Sequence, residues 1–431
     1  MSLFFKRYFP LLIILGLAWI VYAPVLFRPE NPSRWELRKA IHPLTKPAPA
    51  TLSMLAAPPD WSALEIYQNT ITREEFERLL TTVFTTGNAW QTCIEIDATE
   101  ARIQTGNSPA GESFHLRFAP AESTARRHWS SAKELPSTTP DKPLAGLKIA
   151  IDPGHIGGEW AKLEERWFVV AGGAPVQEGD MTLRVANLLK PRLEALGATV
   201  SLVREKTEPV TSIRPDALLS LTQDSAPQSP QKLAERLFYR TAEIRARADL
   251  VNQSLKPDLV LCLHFNAEAW GDPNQPTLID RTHLHLLLNG AYTDEEVLLA
   301  DQRFALLQKL LQRTHQEEAL VGATVAAAFA EISGLPAYAY PPDSKNVRPV
   351  AGQPYLWIRN LLANRLYDCP VIFMEPYVMN STIDHTRIQA GDFDGLREIS
   401  GKLQPSIFRE YADAIAEGLK RHYASARKPG K

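Results

Sequence analysis

Three apolar runs in this sequence each stop at a residue able to bind a metal or move a proton. Ile149-Ala-Ile151 leads into Asp152-Pro153-Gly154-His155, Leu259 to Leu263 leads into His264-Phe265-Asn266, and Val371 to Met374 leads into Glu375-Pro376. In an open α/β sheet ligands bind at the carboxyl edge of the strands, so residues just past three strand ends can meet in one crevice. That holds even though more than two hundred positions separate His155 from Glu375. A fourth candidate, Glu178, stands just ahead of a helix that Asp180 is expected to cap, on the loop entering the helix at the same edge. Two imidazoles and one carboxylate are the ligand set of a catalytic zinc, which leaves a tetrahedral position open for water. A further carboxylate can then take that water's proton as it attacks an amide carbonyl, and pass it to the leaving nitrogen. Singly each signal is weak. Asp-Pro-Gly is an ordinary turn, a His after a strand is commonly a hydrogen-bonded structural residue, and a Glu there commonly pairs with Lys or Arg. The weight lies in the combination.

The elements that must position these residues begin at Leu144, where strands alternate with amphipathic helices. That alternation predicts an α/β domain over 144–424, a mostly parallel sheet flanked by helices. Leu147 to Ile151 is the first strand. The helix after Asp180 presents Leu183, Leu188, Leu189, Leu193 and Leu196, is expected to kink at Pro191 and to stop at Gly197, and leads into the strand Ala198 to Val203. A second helix over about 231–255 feeds the strand ending at Leu263. A strand over 282–288, a long helical region over 294–332, the strand ending at Met374 and a closing helix over 403–423 complete the domain.

Ahead of it, Tyr8 to Phe27 is a 20-residue stretch without a charge, preceded by Lys6 and Arg7 and long enough for a membrane-spanning helix. We expect residues 1–27 to be a signal anchor, or alternatively a cleaved export signal. Residues 28–58 read as a linker. A small α+β domain of unreadable role is expected over 59–120, because the Thr72-Arg-Glu-Glu75 capping pattern opens a helix and period-two alternation follows in 93–97, 101–105 and 114–118. Residues 121–143 read as a second linker.

Composition narrows the partners. Lys and Arg number 47 against 49 Asp and Glu, so a net charge of −2 supplies no general attraction to nucleic acid or to an anionic membrane surface. Three cysteines cannot make a disulfide framework, and Cys262 and Cys369 lie in apolar runs where a thiol packs as a small hydrophobe.

Over residues 146–423 the chain resembles the zinc-dependent N-acetylmuramoyl-L-alanine amidases, a large family of bacterial cell-wall hydrolases. The motifs that carry the likeness are Ile-Ala-Ile-Asp152-Pro-Gly-His155-Ile-Gly-Gly158, then Glu178 ahead of a helix and a strand ending in Arg204. They continue with Arg247, Asn252 and Cys262-Leu-His264-Phe-Asn266, and end with Phe373-Met-Glu375-Pro-Tyr-Val-Met-Asn380. Carried over position by position, the resemblance implies that His155, Glu178 and His264 bind zinc and that Glu375 is the general base. It also implies the substrate, the peptidoglycan amide between the lactyl group of N-acetylmuramic acid and L-alanine. The export segment separately places the catalytic domain outside the cytoplasmic membrane, in the periplasm if the segment is retained as an anchor or secreted if it is cleaved. Whether a protein activator is needed is left open.

The sequence departs from the family in places. Glu159 to Pro175, with Trp160, Trp167 and Phe168, lengthens the interval between His155 and Glu178, and is expected either to wall the cleft for sugar or peptide stacking or to be a packed insertion. Pro376-Tyr377 replaces a small and aromatic pair after the base. Residues 206–230 read as a surface loop, and helix-forming residues 294–332 are the candidate for an element covering the site. His283 and His285 share a strand face and could mimic a metal pair. Lys345 and Arg348 could meet a substrate carboxylate or simply face solvent. Two rival functions remain at this point, a zinc amidase or peptidase acting on another amide, and a catalytically silent wall-binding protein.

Overall fold

Leu259-Val-Leu-Cys-Leu263 is apolar at every position because both faces of the strand are covered, and all five residues are buried. The same is true of Leu284 to Leu288. A computed structural model of the 431-residue chain describes residues 52–106, 112–123, 126–223 and 229–427. The expected membrane-spanning stretch 8–27 and most of the linker 28–58 lie outside the described residues. Among the described residues no helix is long and apolar enough to cross a membrane.

In chain order the strands are β1 (Ile94–Ile96), β2 (Glu100–Gln104), β3 (Ser113–Arg117), β4 (Lys148–Pro153), β5 (Trp167–Phe168), β6 (Val176–Gln177), β7 (Thr199–Leu202), β8 (Leu259–Leu263), β9 (Leu284–Leu288), β10 (Arg348–Pro349), β11 (Leu356–Ile358), β12 (Val371–Pro376), β13 (Arg397–Ile399) and β14 (Lys402–Gln404). The last lies where the closing helix is expected to start, so that helix begins at Ile407. The main sheet has the order β10-β11-β9-β12-β8-β4-β7. The block β12, β8, β4 and β7 is parallel, with Ile151 opposite Leu261 and Phe373 opposite Cys262. β9 runs antiparallel to β12, with His285 opposite Glu375. The sheet is thus mostly parallel and flanked by helices, as the alternation predicts.

Period two along the strands sorts side chains between the two faces. Ile149 and Ile151, Leu259, Leu261 and Leu263, and Ile372 and Met374 join one core with the helices Glu178–Ala195, Thr314–Ser333 and Ile407–Ala426. Ala150, Val260 and Cys262, Leu287, and Val371 and Phe373 join a second core on the opposite face, with Ala248, Val251 and Ala363. Continued by one step, the second face yields Asp152, His264 and Glu375 at the strand ends. The polar site is the rim of that apolar face.

The helix after β6 begins at Glu178, one turn earlier than an Asp180 cap would allow. Asp180 instead accepts the Gly158 amide with Oδ2 at 2.8 Å, bracing the first motif loop. Pro191 is carried inside the helix, which runs through to Ala195. The predicted helix over 231–255 is a continuous helical run in which α-helical segments alternate with wider π turns at Phe238–Ala242 and Leu250–Leu255.

Residues 59–120 form the expected helix, Arg73–Leu79 with Thr72 accepting the Glu75 amide at 3.2 Å, and the antiparallel sheet β1-β2-β3. Their apolar faces close on Tyr292, Leu306, Leu307, Leu310, Leu311 and Ile358 rather than on each other alone. Backbone and side-chain bonds stitch the seam, including Thr86 N to Tyr292 O at 2.9 Å and Ala89 N to Asp294 Oδ1 at 2.8 Å. This disposes of the covering role expected for 294–332. The helix Ala300–Gln312 spends its apolar stripe on residues 64–116, and Thr314–Ser333 spends Val321, Val325 and Phe329 in the main core.

Candidate metal centre

His155 follows β4 with a backbone φ of 60°, in the left-handed region. For a side chain with a Cβ this costs roughly 1 kcal/mol, so the loop must be held from outside. Arg247 does so. Its guanidinium is buried and donates to Pro153 O at 2.8 Å and His155 O at 2.7 Å while paired with Asp152 and Glu243, each at 2.8 Å. Tyr367 adds a hydroxyl bond to Asp152 at 2.5 Å, so Asp152 braces the strand end and has no free oxygen to offer a metal.

Glu178, the first helical residue, is brought beside His155 because Gly179 lets the helix start approach the motif loop. A Cβ at 179 would lie 2.2 Å from Ile156 O. Arg204, at the end of the strand after the helix, donates to Gly179 O at 2.7 Å and fixes this junction. The Glu178 carboxylate accepts the Phe265 amide at 3.1 Å and lies 3.2 Å from His264 Nδ1 and 3.3 Å from His155 Nε2. One donor atom from each of His155, Glu178 and His264 falls within a span of 4.8 Å. The two rings stand nearly perpendicular, 4.9 Å apart. His264 stacks on Phe373 at 4.2 Å, which sets its plane.

Charge favours cation binding here. Burial pushes His155 well below the usual imidazole range, so it presents the neutral form that ligates metal. Burial alone would raise Glu178, but the hydrogen bond to His264 and the Arg166 guanidinium outweigh it and hold the carboxylate low. A neutral imidazole, a second imidazole and an ionised carboxylate with an approach from the cleft match the chemistry of a nitrogen- and oxygen-ligated zinc.

Glu375 lies in β12 on the cleft face, outside this three-residue cluster, and burial raises its carboxyl to about 7. It lines a cavity of about 490 Å³ together with His155, His264, Arg166, Tyr340 and Arg359. The structure therefore gathers all four expected site residues on one strand edge, three in a cluster and the fourth on the wall beside them.

The other tempting residues fall elsewhere. His283 and His285 stack with Tyr338 at 4.4 and 4.8 Å, and burial lowers them to about 4 and about 3. His285 faces the cleft through its pairing with Glu375 and bonds Tyr340, apart from the cluster. Arg348 donates to Thr81 O at 3.0 Å and Lys345 is exposed on a loop; neither lines the cleft. Asn252 and Asn380, prominent in the motifs, brace loops through Leu366 O and Thr277 O.

Sequence reasoning missed two residues of the 159–175 segment. Two of its aromatics pack on neighbours, Trp160 on Phe238 at 5.3 Å and Phe168 on Trp270 at 5.0 Å, while Trp167 is half-buried under Lys162 beside a separate surface cavity. What it gives the site is polar: Glu164, buried against His155, and Arg166, whose Nε lies 3.3 Å from both His155 Nε2 and Glu178 Oε2. Their signal was two charged residues between ligand motifs, overshadowed by the tryptophans.

Against known proteins, residues 149–301 match the model of a family described as N-acetylmuramoyl-L-alanine amidase. The resemblance carried by the motifs is shown over that stretch, which includes His155, Glu178 and His264. A probable cell wall amidase, LytH, of Staphylococcus saprophyticus is 31% identical over 124 residues, covering 28% of this chain and 40% of that protein. A germination-specific N-acetylmuramoyl-L-alanine amidase of Bacillus subtilis is 29% identical over 125 residues, 29% of this chain and 41% of that protein. The chain thus spans about two fifths of the curated relatives it matches. Among solved structures, the N-acetylmuramyl-L-alanine amidase Ami1 of Mycobacterium smegmatis aligns at 16% identity with a TM-score of 0.37, over 65% of this chain and 99% of that one.

Proposed function

We propose that the chain is a zinc-dependent N-acetylmuramoyl-L-alanine amidase acting on peptidoglycan. The observation that carries this is the convergence of His155 and His264, at neighbouring strand ends, with Glu178, at a helix start, into one cluster, and of Glu375 with the two histidines in one cleft. His155, Glu178 and His264 would hold one zinc per chain. When bound, zinc polarises the amide carbonyl and acidifies the attacking water. Glu375 takes the proton as the water oxygen bonds to the carbonyl carbon. It then delivers a proton to the amide nitrogen as the carbon–nitrogen bond breaks, leaving a lactyl carboxylate and a free alanine amine. The buried cleft wall, with Phe373 behind His264, keeps bulk water from competing for these groups.

The uncharged stretch 8–27 and a wall substrate together support export, so the catalytic domain would work outside the cytoplasmic membrane, tethered if the stretch is retained. The test is zinc content and release of peptides with a free amino-terminal alanine from purified peptidoglycan. We expect about one zinc in wild type and in Glu375→Gln, with the variant slower by ~10²- to 10⁴-fold. A zinc-loaded wild type that leaves the wall intact, or a Glu375→Gln as fast as wild type, overturns the assignment.

A further inference from the structure

We propose that Glu164 is the positioning carboxylate of this metal centre, holding the His155 imidazole with its proton on Nδ1 so that Nε2 stays free as the ligand atom. This rests on the zinc reading of the cluster and adds a residue to it from the segment that lengthens the chain between His155 and Glu178.

The geometry is a two-point clamp. Glu164 Oε1 lies 3.0 Å from His155 Nδ1, and Oε2 accepts the Ile156 amide at 2.7 Å. One carboxylate thus grips the ring and the backbone next to it, which fixes the ring plane as well as its position. On the other side of the ring Arg166 Nε donates to His155 Nε2 at 3.3 Å, which makes Nε2 the acceptor and leaves the proton of the neutral ring on Nδ1, facing the Glu164 carboxylate. The Nε2 lone pair thus lies on the side of the ring shared with Glu178 and His264, where the three donor atoms cluster. The opposite tautomer would set a proton where the metal has to bind and leave two acceptors face to face.

Glu164 is itself anchored. Its amide donates to Trp160 O at 3.0 Å, Trp160 packs on Phe238, and the Arg166 amide returns to Ala161 O at 2.9 Å. The residue is 5% exposed. Among the described residues no Lys or Arg nitrogen lies within 4.0 Å of its carboxylate, and His155 is its one ion-pair partner. A buried carboxylate without a guanidinium or ammonium beside it is expensive to keep, and here its two oxygens are both committed to the strained His155 loop. Carboxylate, histidine and metal in line is a recurrent arrangement, in which the outer group sets the tautomer and raises the basicity of the ligand.

The experiment uses the full chain and two readouts apart from turnover. Zinc affinity is measured by competition with a chromophoric chelator for wild type, Glu164→Gln and Glu164→Ala. The His155 tautomer is read in the metal-free proteins from ¹⁵N-histidine NMR. We expect Glu164→Ala to bind zinc ~10- to 100-fold more weakly and His155 to shift to the Nε2–H form. Glu164→Gln should fall between, since its amide oxygen can still accept from Nδ1 but its NH₂ cannot accept from Ile156. If Glu164→Ala does not fold, Glu164→Gln decides. Equal zinc affinity in a folded variant and wild type, with His155 still protonated on Nδ1, overturns the proposal. If wild type takes up no zinc, the zinc reading fails separately, and the tautomer shift in the metal-free proteins still decides the role of Glu164.

Discussion

Replacing Gly154 by Ala adds one methyl group where the structure already has a ring. A Cβ at 154 would lie 2.3 Å from His264 Cε1, 2.4 Å from Nε2 and 2.6 Å from Nδ1. Ordinary contact begins near 3.4 Å, so the imidazole must withdraw by about 1.1 Å, the difference between 3.4 and 2.3 Å. The backbone cannot absorb the shift, because the Gly154 amide is tied to Leu263 O at 2.8 Å, and the ring backs onto Phe373 at 4.2 Å. Gly154 is outside the left-handed region, so the substitution is not resisted by φ, and the fold should survive. A metal site tolerates ligand distances within roughly ±0.2 Å, so a displacement of this size amounts to losing a ligand's best geometry. We expect zinc affinity to fall on the order of 100-fold, which is ~2.8 kcal/mol at about 1.4 kcal/mol per decade. Chelator competition measures it, with Gly106→Ala as control, since nothing lies within 4 Å of a Cβ there. Affinity within about threefold of wild type, in a folded variant, would refute the placement of His264 as a ligand.

Two further substitutions test the frame around the site. Glu318 is fully buried, accepts the Val371 amide at 3.1 Å, and burial raises its carboxyl from 4.5 to about 7. The folded chain therefore holds this proton more tightly than the unfolded chain; the penalty for ionising it is absent below about pH 4.5 and complete above about 7. Glu318→Gln should match wild type in stability near pH 4 and exceed it by up to ~3 kcal/mol near pH 8, and urea unfolding that shows the same difference at both pH values excludes this. Arg247→Met leaves Asp152 and Glu243 buried without their cation and should lower stability by ~3–5 kcal/mol. Adding Asp152→Asn should recover part of that loss in the same assay, and an additive double variant would show that the pair is not coupled.

The strand ends were legible because they follow from alternation. Ala150 and Asp152, Cys262 and His264, Phe373 and Glu375 are each two apart, and period two carries them to one face whatever the helices do. Glu178 was legible as a residue ahead of an amphipathic helix, although the cap assigned to Asp180 was wrong, since its carboxylate is used across the loop on Gly158. Glu164 and Arg166 were not legible, because a loop returning on itself sets their positions and no periodicity reports that return. The helical region 294–332 shows a different limit. An apolar stripe at Leu306, Leu307, Leu310 and Leu311 says that one side is covered, but not by what, and here the cover is residues 64–116 rather than the cleft.

That shared core decides how the protein can be divided. A fragment cut to begin at β4 would keep every candidate zinc ligand and the base, yet expose Tyr292, Leu306, Leu310 and Ile358 to water. At ~1.5–3 kcal/mol for each large apolar side chain stripped of its cover, such a fragment would trade folding stability for a sticky flank prone to aggregation. Expression trials and domain swaps are therefore best cut ahead of residue 52, so that the α/β core and the layer packed on it travel as one piece.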